Sequence, residues 1–122
     1  MLAPEIEEVE YIRREDAQVN ERPDFGMEVI TYAFGGPIEP YCVIVLQPGE
    51  YKVDDSMHPY SETCYMISGT LHVQVDEREY RLKPGDSVSV HGNYRHTMRN
   101  DGDTPCTSLW FHTAAVKHGR IE

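Results

Sequence analysis

The chain has 122 residues, 39% of them hydrophobic, which is enough for one domain with a packed core. It carries 21 acidic against 11 basic residues, and the net charge of -10 argues against nucleic acid or an anionic membrane as a partner. No apolar run approaches the roughly 18 residues that would cross a bilayer.

The N-terminus and the cysteines both favour the cytoplasm. Residues 1–8 are acidic where a secretion signal would be basic and then apolar. Cys42, Cys64 and Cys106 are an odd number with no close pairing. Reduced thiols are therefore expected rather than a disulfide framework.

The first 26 residues have the weakest pattern. A few apolar residues stand among many charged ones, which fits a short helix, a solvated arm or an arm across a neighbouring subunit. Pro23 and Gly26 bracket Phe25 and end this segment. We treat residues 1–26 as an N-terminal arm and residues 27–122 as the main domain.

Beyond the arm, β-branched and aromatic residues gather in short runs, and turn residues separate these runs about every ten positions. Strands are predicted over residues 27–34, 41–46, 51–53, 63–67, 70–75, 79–82, 87–90, 96–99 and 106–111. Residues 54–56 are predicted as a polar loop and residues 112–122 as a short polar tail. This pattern is typical of an all-β antiparallel sandwich or barrel, and closure of the double sheet removes exposed edges.

Alternation along the strands assigns side chains to faces. If Glu62 points inward, Cys64 and Met66 do too, while Tyr65 and Ile67 point outward and need a cover. That cover is the N-terminal segment or a second subunit, so we predict a homodimer through this sheet. By the same rule His72 lies on the polar face of its strand and is predicted at the surface.

One local design occurs twice and links distant histidines. Pro48-Gly49 leads to His58 and Glu62, and Pro84-Gly85 leads to His96. Proline followed by glycine marks a tight turn. Two imidazoles and a carboxylate are the ligand set of an open mononuclear metal site. The alternatives are a solvated loop pair for His58 and Glu62, and a hydrogen-bonded core histidine for His96.

These residues resemble the motifs of the single-domain cupins over residues 43–111. In the first motif Gly49 opens the pattern, His58 and Glu62 follow, and Gly69 closes it. The second motif holds Gly85, His96 and Asn100. Two positions depart from the family pattern. Ser56 stands where the family has its first histidine, and His91-Gly92-Asn93 replaces Pro-x-Gly.

The resemblance implies a double-stranded β-helix, the jelly-roll cupin barrel. It also implies that His58, Glu62 and His96 hold a divalent metal, with Fe(II) favoured and Mn, Zn, Ni or Cu possible. The set is similar to that of cupin oxygenases and epoxidases that keep His-x3-Glu and a distant histidine. A non-heme Fe(II) oxygenase of the dioxygenase type, acting on a small organic substrate, is the first hypothesis.

Three further residues are candidates for the site. Tyr60 binds substrate through its hydroxyl or simply packs. Arg95 pairs with a substrate carboxylate or phosphate, or is a surface arginine. Ser56 is a weak ligand, a water anchor or loop. Tyr60 and Arg95 are the predicted catalytic residues.

Other functions remain open at this stage. Metal cupins also catalyse isomerisation, lyase elimination and polyketide cyclisation with much the same ligands. Residues 63–100 also resemble the sensor half of transcription regulators that join a cupin to a DNA-binding domain. The second hypothesis is therefore a non-catalytic ligand-binding or sensor cupin.

Overall fold

The computed structural model describes residues 9–36, 38–49, 53–55 and 59–112. Within these ranges the chain forms ten strands and two short 3-10 helices, Arg14–Asp16 and Pro23–Phe25. The strands are β1 Gln18–Arg22, β2 Met27–Tyr32, β3 Tyr41–Leu46, β4 Val53–Asp55, β5 Glu62–Ser68, β6 Leu71–Val75, β7 Arg78–Leu82, β8 Ser87–Val90, β9 His96–Arg99 and β10 Cys106–His112. No helix in the described part of the chain has the length and apolar character needed to cross a membrane.

The strands form two antiparallel sheets. One has six strands in the order β1-β2-β3-β10-β5-β8, and the other has four in the order β4-β9-β6-β7. Every neighbouring pair runs antiparallel. Several neighbours in space, such as β3 with β10 and β4 with β9, are distant in sequence, as in a double-stranded jelly roll. The predicted all-β fold class is confirmed.

The core lies between the two sheets. Cys64 and Met66 are fully buried, which confirms that this side of β5 faces inward. Burying one large apolar side chain contributes about 1.5–3 kcal/mol. The buried apolar cluster consists of Leu46, Cys64, Met66, Leu71, Val73, Val75, Leu82, Val90, Met98, Cys106 and Trp110.

In both predicted Pro-Gly turns the glycine has a positive φ angle. Gly49 has φ of 135° and Gly85 has φ of 93°. Both values lie in a region that side chains with a Cβ rarely adopt. Each turn therefore ends one strand and redirects the chain toward the segment that carries a site residue.

Asn100 bonds to three backbone groups from a fully buried position. Its Nδ2 donates to the carbonyls of Leu46, at 2.9 Å, and Thr104, at 2.8 Å. Its Oδ1 accepts from the Gly102 N–H at 2.9 Å. The side chain thereby joins the end of β3 to the connection between β9 and β10.

Two segments differ from the predicted elements. β1 was not predicted, because every residue of Gln18–Arg22 is exposed and the segment lacks an apolar alternation. It lies at the edge of the six-stranded sheet and pairs with β2. Asp54 and Asp55, predicted in a loop, belong to β4 and pair with β9. The division at residue 26 stays a prediction, and residues 1–8 lie outside the described ranges.

The prediction that His72 lies at the surface is wrong, since only 6% of the residue is exposed. Its Nε2 lies 2.9 Å from Glu79 Oε1. Arg81 of β7 and Arg99 of β9 are its cross-strand neighbours on either side. A central strand has long neighbours on both sides, and these shield a residue that the alternation alone places in solvent.

The outer face of the six-stranded sheet keeps apolar side chains in solvent. Tyr65 is 44% and Ile67 is 47% exposed, as predicted for the outward face of β5. The described N-terminal residues pack elsewhere, for example through the Gly35 N–H that donates to Glu10 Oε1. The predicted homodimer through this face stays a prediction.

Candidate metal centre and ligand cavity

Glu62 and His96 meet between the two sheets. Glu62 begins β5 in one sheet, and His96 begins β9 in the other. His96 Nε2 lies 3.1 Å from Glu62 Oε1, with 4% and 17% of the two side chains exposed. The fold therefore brings together two groups that the sequence separates by more than thirty residues.

This pair fits a metal site. Imidazole nitrogens and carboxylate oxygens bind divalent ions at about 2.0–2.2 Å, which puts two such donors on one ion about 3 Å apart. The Glu62–His96 contact has that spacing. His58, the third predicted ligand, lies outside the described residues, as does Ser56. Among the described residues, no group of three or more His, Cys, Asp or Glu side chains lies close enough to hold an ion.

Both residues line a cavity of about 270 Å³ between the sheets. Most of its wall is apolar, and its polar groups are few. Such a cavity is typical of a site for a small organic molecule. Its lining residues are Arg22, Phe25, Met27, Cys42, Ile44, Glu62, His96, Met98, Trp110 and His112.

The indole of Trp110 lies nearly parallel to the imidazole of His96 on the cavity wall. The two ring centroids are 6.3 Å apart, and the ring planes differ by 17°. Trp110 Nε1 donates to Ser108 Oγ at 2.9 Å, so the indole is fixed at its polar end. Trp110 is buried, and it also faces the cavity.

His112 belongs to the site, although it was predicted as a tail residue. It is the last residue of β10 and the cross-strand neighbour of Glu62. Its ring centroid lies 5.1 Å from that of Tyr60. The signal in the sequence was the spacing, because Trp110 and His112 are two residues apart and share one face of a strand. Tyr60 contacts His112 and is not part of the cavity wall, so its predicted role with substrate stays a prediction.

The structure does not bring Arg95 to the cavity. Arg95 is exposed and is not among the described residues of the cavity wall. Tyr94 and His91, its neighbours in the loop, line a separate depression with Arg78 and Tyr80. The catalytic role predicted for Arg95 stays a prediction that the described geometry does not support.

Cys64 and Cys106 lie in the core as neutral thiols. Burial raises the pKa of the Cys64 thiol from 9.0 to about 12. Burial likewise raises the pKa of Cys106 to about 11. At neutral pH both side chains are therefore thiols rather than the more nucleophilic thiolates. No described cysteine forms a disulfide.

Known proteins with similar sequences come from Streptomyces. The chain is 35% identical to Protein SchB of Streptomyces halstedii over 71 residues, 57% of this chain and 50% of the relative. It is 38% identical to the tetracenomycin polyketide synthase protein TcmJ of Streptomyces glaucescens over 63 residues, 51% of this chain and 42% of the relative. The matches thus span half or less of these relatives.

Solved structures with similar folds include three kinds of protein. A cupin described as RmlC-like from Shewanella frigidimarina superposes with a TM-score of 0.71 at 20% identity, covering 90% of this chain and 95% of the other. Hydroxypropylphosphonic acid epoxidase from S. wedmorenis superposes with a TM-score of 0.72 at 14% identity, covering 84% and 58%. The cupin domain of an XRE family transcriptional regulator from Enterobacter cloacae has a TM-score of 0.64 at 23% identity, covering 73% and 97%. At these identities the likeness shows the fold alone.

The family profile described as "Cupin domain" matches residues 42–112, more than half of the chain. This range includes Glu62, His96 and most of the cavity wall. The protein therefore belongs to the cupin family.

Proposed function

We propose that this protein is a metal-dependent cupin enzyme that cyclises a polyketide-type substrate in the cavity between its sheets. The observation that carries the proposal is the 3.1 Å contact between Glu62 and His96 on the wall of a largely apolar cavity. The substrate class rests on the relatives, one of which is named as a polyketide synthase protein. Cyclisation was among the metal cupin chemistries that the sequence left open.

Glu62 and His96, together with His58, would hold the divalent ion. The imidazoles are neutral, so the charges of one carboxylate and one divalent ion sum to about one positive charge. An ion held there supplies Lewis acidity to substrate carbonyl oxygens and so acidifies the C–H bonds between two carbonyls. Fe(II), Mn, Zn, Ni and Cu all accept this donor set.

The chain's own residues would bind the substrate and move its proton. Trp110 and Met98 present apolar surface to the chain of carbonyls and exclude water from it. An imidazole nitrogen of His112, on the same wall, would take the proton from the carbon between two carbonyls. That carbon then bonds to a distant carbonyl carbon, and the proton returns to the oxygen of the attacked carbonyl. The hydroxyl formed there leaves as water, which makes the new ring aromatic. The step needs neither an oxidant nor a reductant.

Metal content tests the site itself. Protein made without an affinity tag should contain about one divalent ion per chain, and Glu62→Ala or His96→Ala should reduce this at least tenfold. Glu79→Ala is the matched control, because Glu79 contacts His72 at 2.9 Å in a similar pair outside the cavity. Unchanged metal in Glu62→Ala would refute the proposed centre. Metal-free protein that binds a polyketide-like ligand would instead support the non-catalytic binding cupin.

Turnover tests the reaction. A synthetic poly-β-ketone thioester should give a new aromatic absorbance without uptake of oxygen. His112→Asn should lower this rate at least tenfold and keep the metal content of the wild type. Ring closure at the wild-type rate in His112→Asn would exclude His112 as the group that transfers the proton.

Oxygenation is the second candidate, and the donor set favours it. Two imidazoles and one carboxylate leave open positions on Fe(II) for a substrate and O2. The same assay distinguishes the two reactions. Oxygen uptake that depends on Fe(II) and on the ketone would replace cyclisation with the oxygenase that the sequence analysis favoured.

A further inference from the structure

Arg22 lies where the N-terminal segment meets the cavity. It is the last residue of β1 and pairs across the strands with Met27 of β2, another residue of the cavity wall. Pro23–Phe25 then forms a 3-10 helix that returns the chain, with Gly26 left-handed at φ of 59°. The carbonyl of Gly26 accepts from the Gln47 N–H at 2.8 Å, which ties this turn to the end of β3.

This turn places a positive charge on the cavity wall of an acidic protein. Arg22 belongs to none of the ion pairs that the described residues form, whereas Arg13, Arg14 and Arg81 each have an acidic partner. The carboxylate on the same wall, Glu62, is already in contact with His96. The guanidinium of Arg22 therefore has its hydrogen-bond donors available to a ligand, and its planar fork matches a carboxylate.

Aromatic side chains stand on the same wall. Phe25, three residues after Arg22, is partly exposed, and Trp110 is buried within the wall. Aromatic rings bind other rings through offset or edge contacts. The cavity volume of about 270 Å³ lies just below the usual range for drug-sized ligands, which limits the ligand to about one or two fused rings.

We propose that Arg22 is a ligand-binding residue that pairs with the carboxylate of a small aromatic ligand whose rings contact Phe25 and Trp110. An aromatic acid of this kind is what ring closure of a ketone chain would leave in the cavity, so the catalytic meaning of the pairing rests on the proposed function. The pairing itself requires no metal, because Arg22 supplies the charge. This assigns to Arg22 the role with a substrate acid that the sequence analysis gave to Arg95.

Calorimetric titration of metal-free protein with 2-naphthoate and with the neutral 2-naphthylmethanol tests the pairing. The wild type should bind the acid about fivefold more tightly than the alcohol, since a partly exposed ion pair contributes up to about 1 kcal/mol. Arg22→Gln should remove this preference. Arg99→Gln is the matched control and should keep it, because Arg99 is an exposed arginine that points away from the cavity on β9.

A second readout locates the ligand. Trp110 is the only tryptophan of the chain, so the indole N–H gives one proton–nitrogen correlation in an NMR spectrum. Both naphthalene compounds should shift that signal. Binding without a shift, no binding of 2-naphthoate, or an unchanged preference for the acid in Arg22→Gln would overturn the inference. Loss of the preference in Arg95→Gln alone would also overturn it.

These outcomes are separable from those of the proposed function. If Glu62→Ala keeps its metal while Arg22→Gln loses the preference for the acid, the catalytic proposal fails and the ligand pairing stands. If Glu62→Ala loses its metal while Arg22→Gln binds both compounds as the wild type does, the metal centre stands and the pairing fails.

Discussion

Replacing Asn100 with alanine tests how the fold holds the second cupin motif in place. The change removes three hydrogen bonds and leaves the Leu46 and Thr104 carbonyls and the Gly102 N–H without their partner. A buried group left unsatisfied costs about 1–3 kcal/mol. The bond to Leu46 is buried, and the other two are partly buried, where water replaces part of the loss.

Together these losses amount to about 3–4 kcal/mol, with about 2 from the buried carbonyl and about 0.5–1 from each of the others. That is a large share of the 5–15 kcal/mol that stabilises a typical domain. For a chain of 122 residues it corresponds to a fall in Tm of about 10–15 °C.

Urea denaturation followed by the fluorescence of Trp110 measures the effect. The midpoint should fall while the slope m stays unchanged, because the surface exposed on unfolding is nearly the same. Asn20→Ala is the control, since Asn20 is an exposed residue of β1, and it should change stability by less than about 0.5 kcal/mol. A loss below about 1 kcal/mol in Asn100→Ala would show that these bonds do not anchor the connection.

Three other predictions concern the loops, the thiols and the outer face. Gly92→Ala should weaken metal binding about 10–100-fold, because a Cβ there would clash with the Pro59 carbonyl in the loop that precedes β5. Calorimetry with Zn²⁺ measures the affinity, and an unchanged affinity would refute the coupling of the two loops. Cys64 and Cys106 should resist iodoacetamide at pH 8 in the native state and react in urea, because burial raises the pKa of both thiols. Mass spectrometry measures the alkylation, and alkylation of either thiol in the native state would refute the prediction. Tyr65→Asp should convert a dimer to a monomer in sedimentation experiments, and a wild-type monomer at micromolar concentration would contradict the dimer.

The strands were predictable because their patterns are local. Residues 41–46 and 87–90 were predicted with the bounds that the structure shows, since β-branched runs and glycine turns act within a few residues. β1 was missed because an edge strand exposed on both faces needs no apolar residues. β1 forms because the edge of β2 offers it backbone hydrogen-bond partners. The residues of β1 themselves carry no pattern that predicts this pairing.

The site was predictable only where sequence motifs repeat. Glu62 and His96 were identified from paired turns, and the structure brings them together. His112 was missed because it lies one residue past the last apolar run, where a strand and a tail look alike. Arg22 was missed because its place in the cavity depends on the pairing of β1 with β2.

Since Glu62 and His96 come from opposite sheets, an ion bound by both would cross-link the two layers of the sandwich. Loading and folding then become one linked equilibrium, in which an ion at a thousand times its Kd adds about 4 kcal/mol to stability. Any substitution that lets the two sheets move apart, however far from the cavity, would therefore lower the affinity for the ion. Metal affinity would thus report on how closely the two sheets pack against each other.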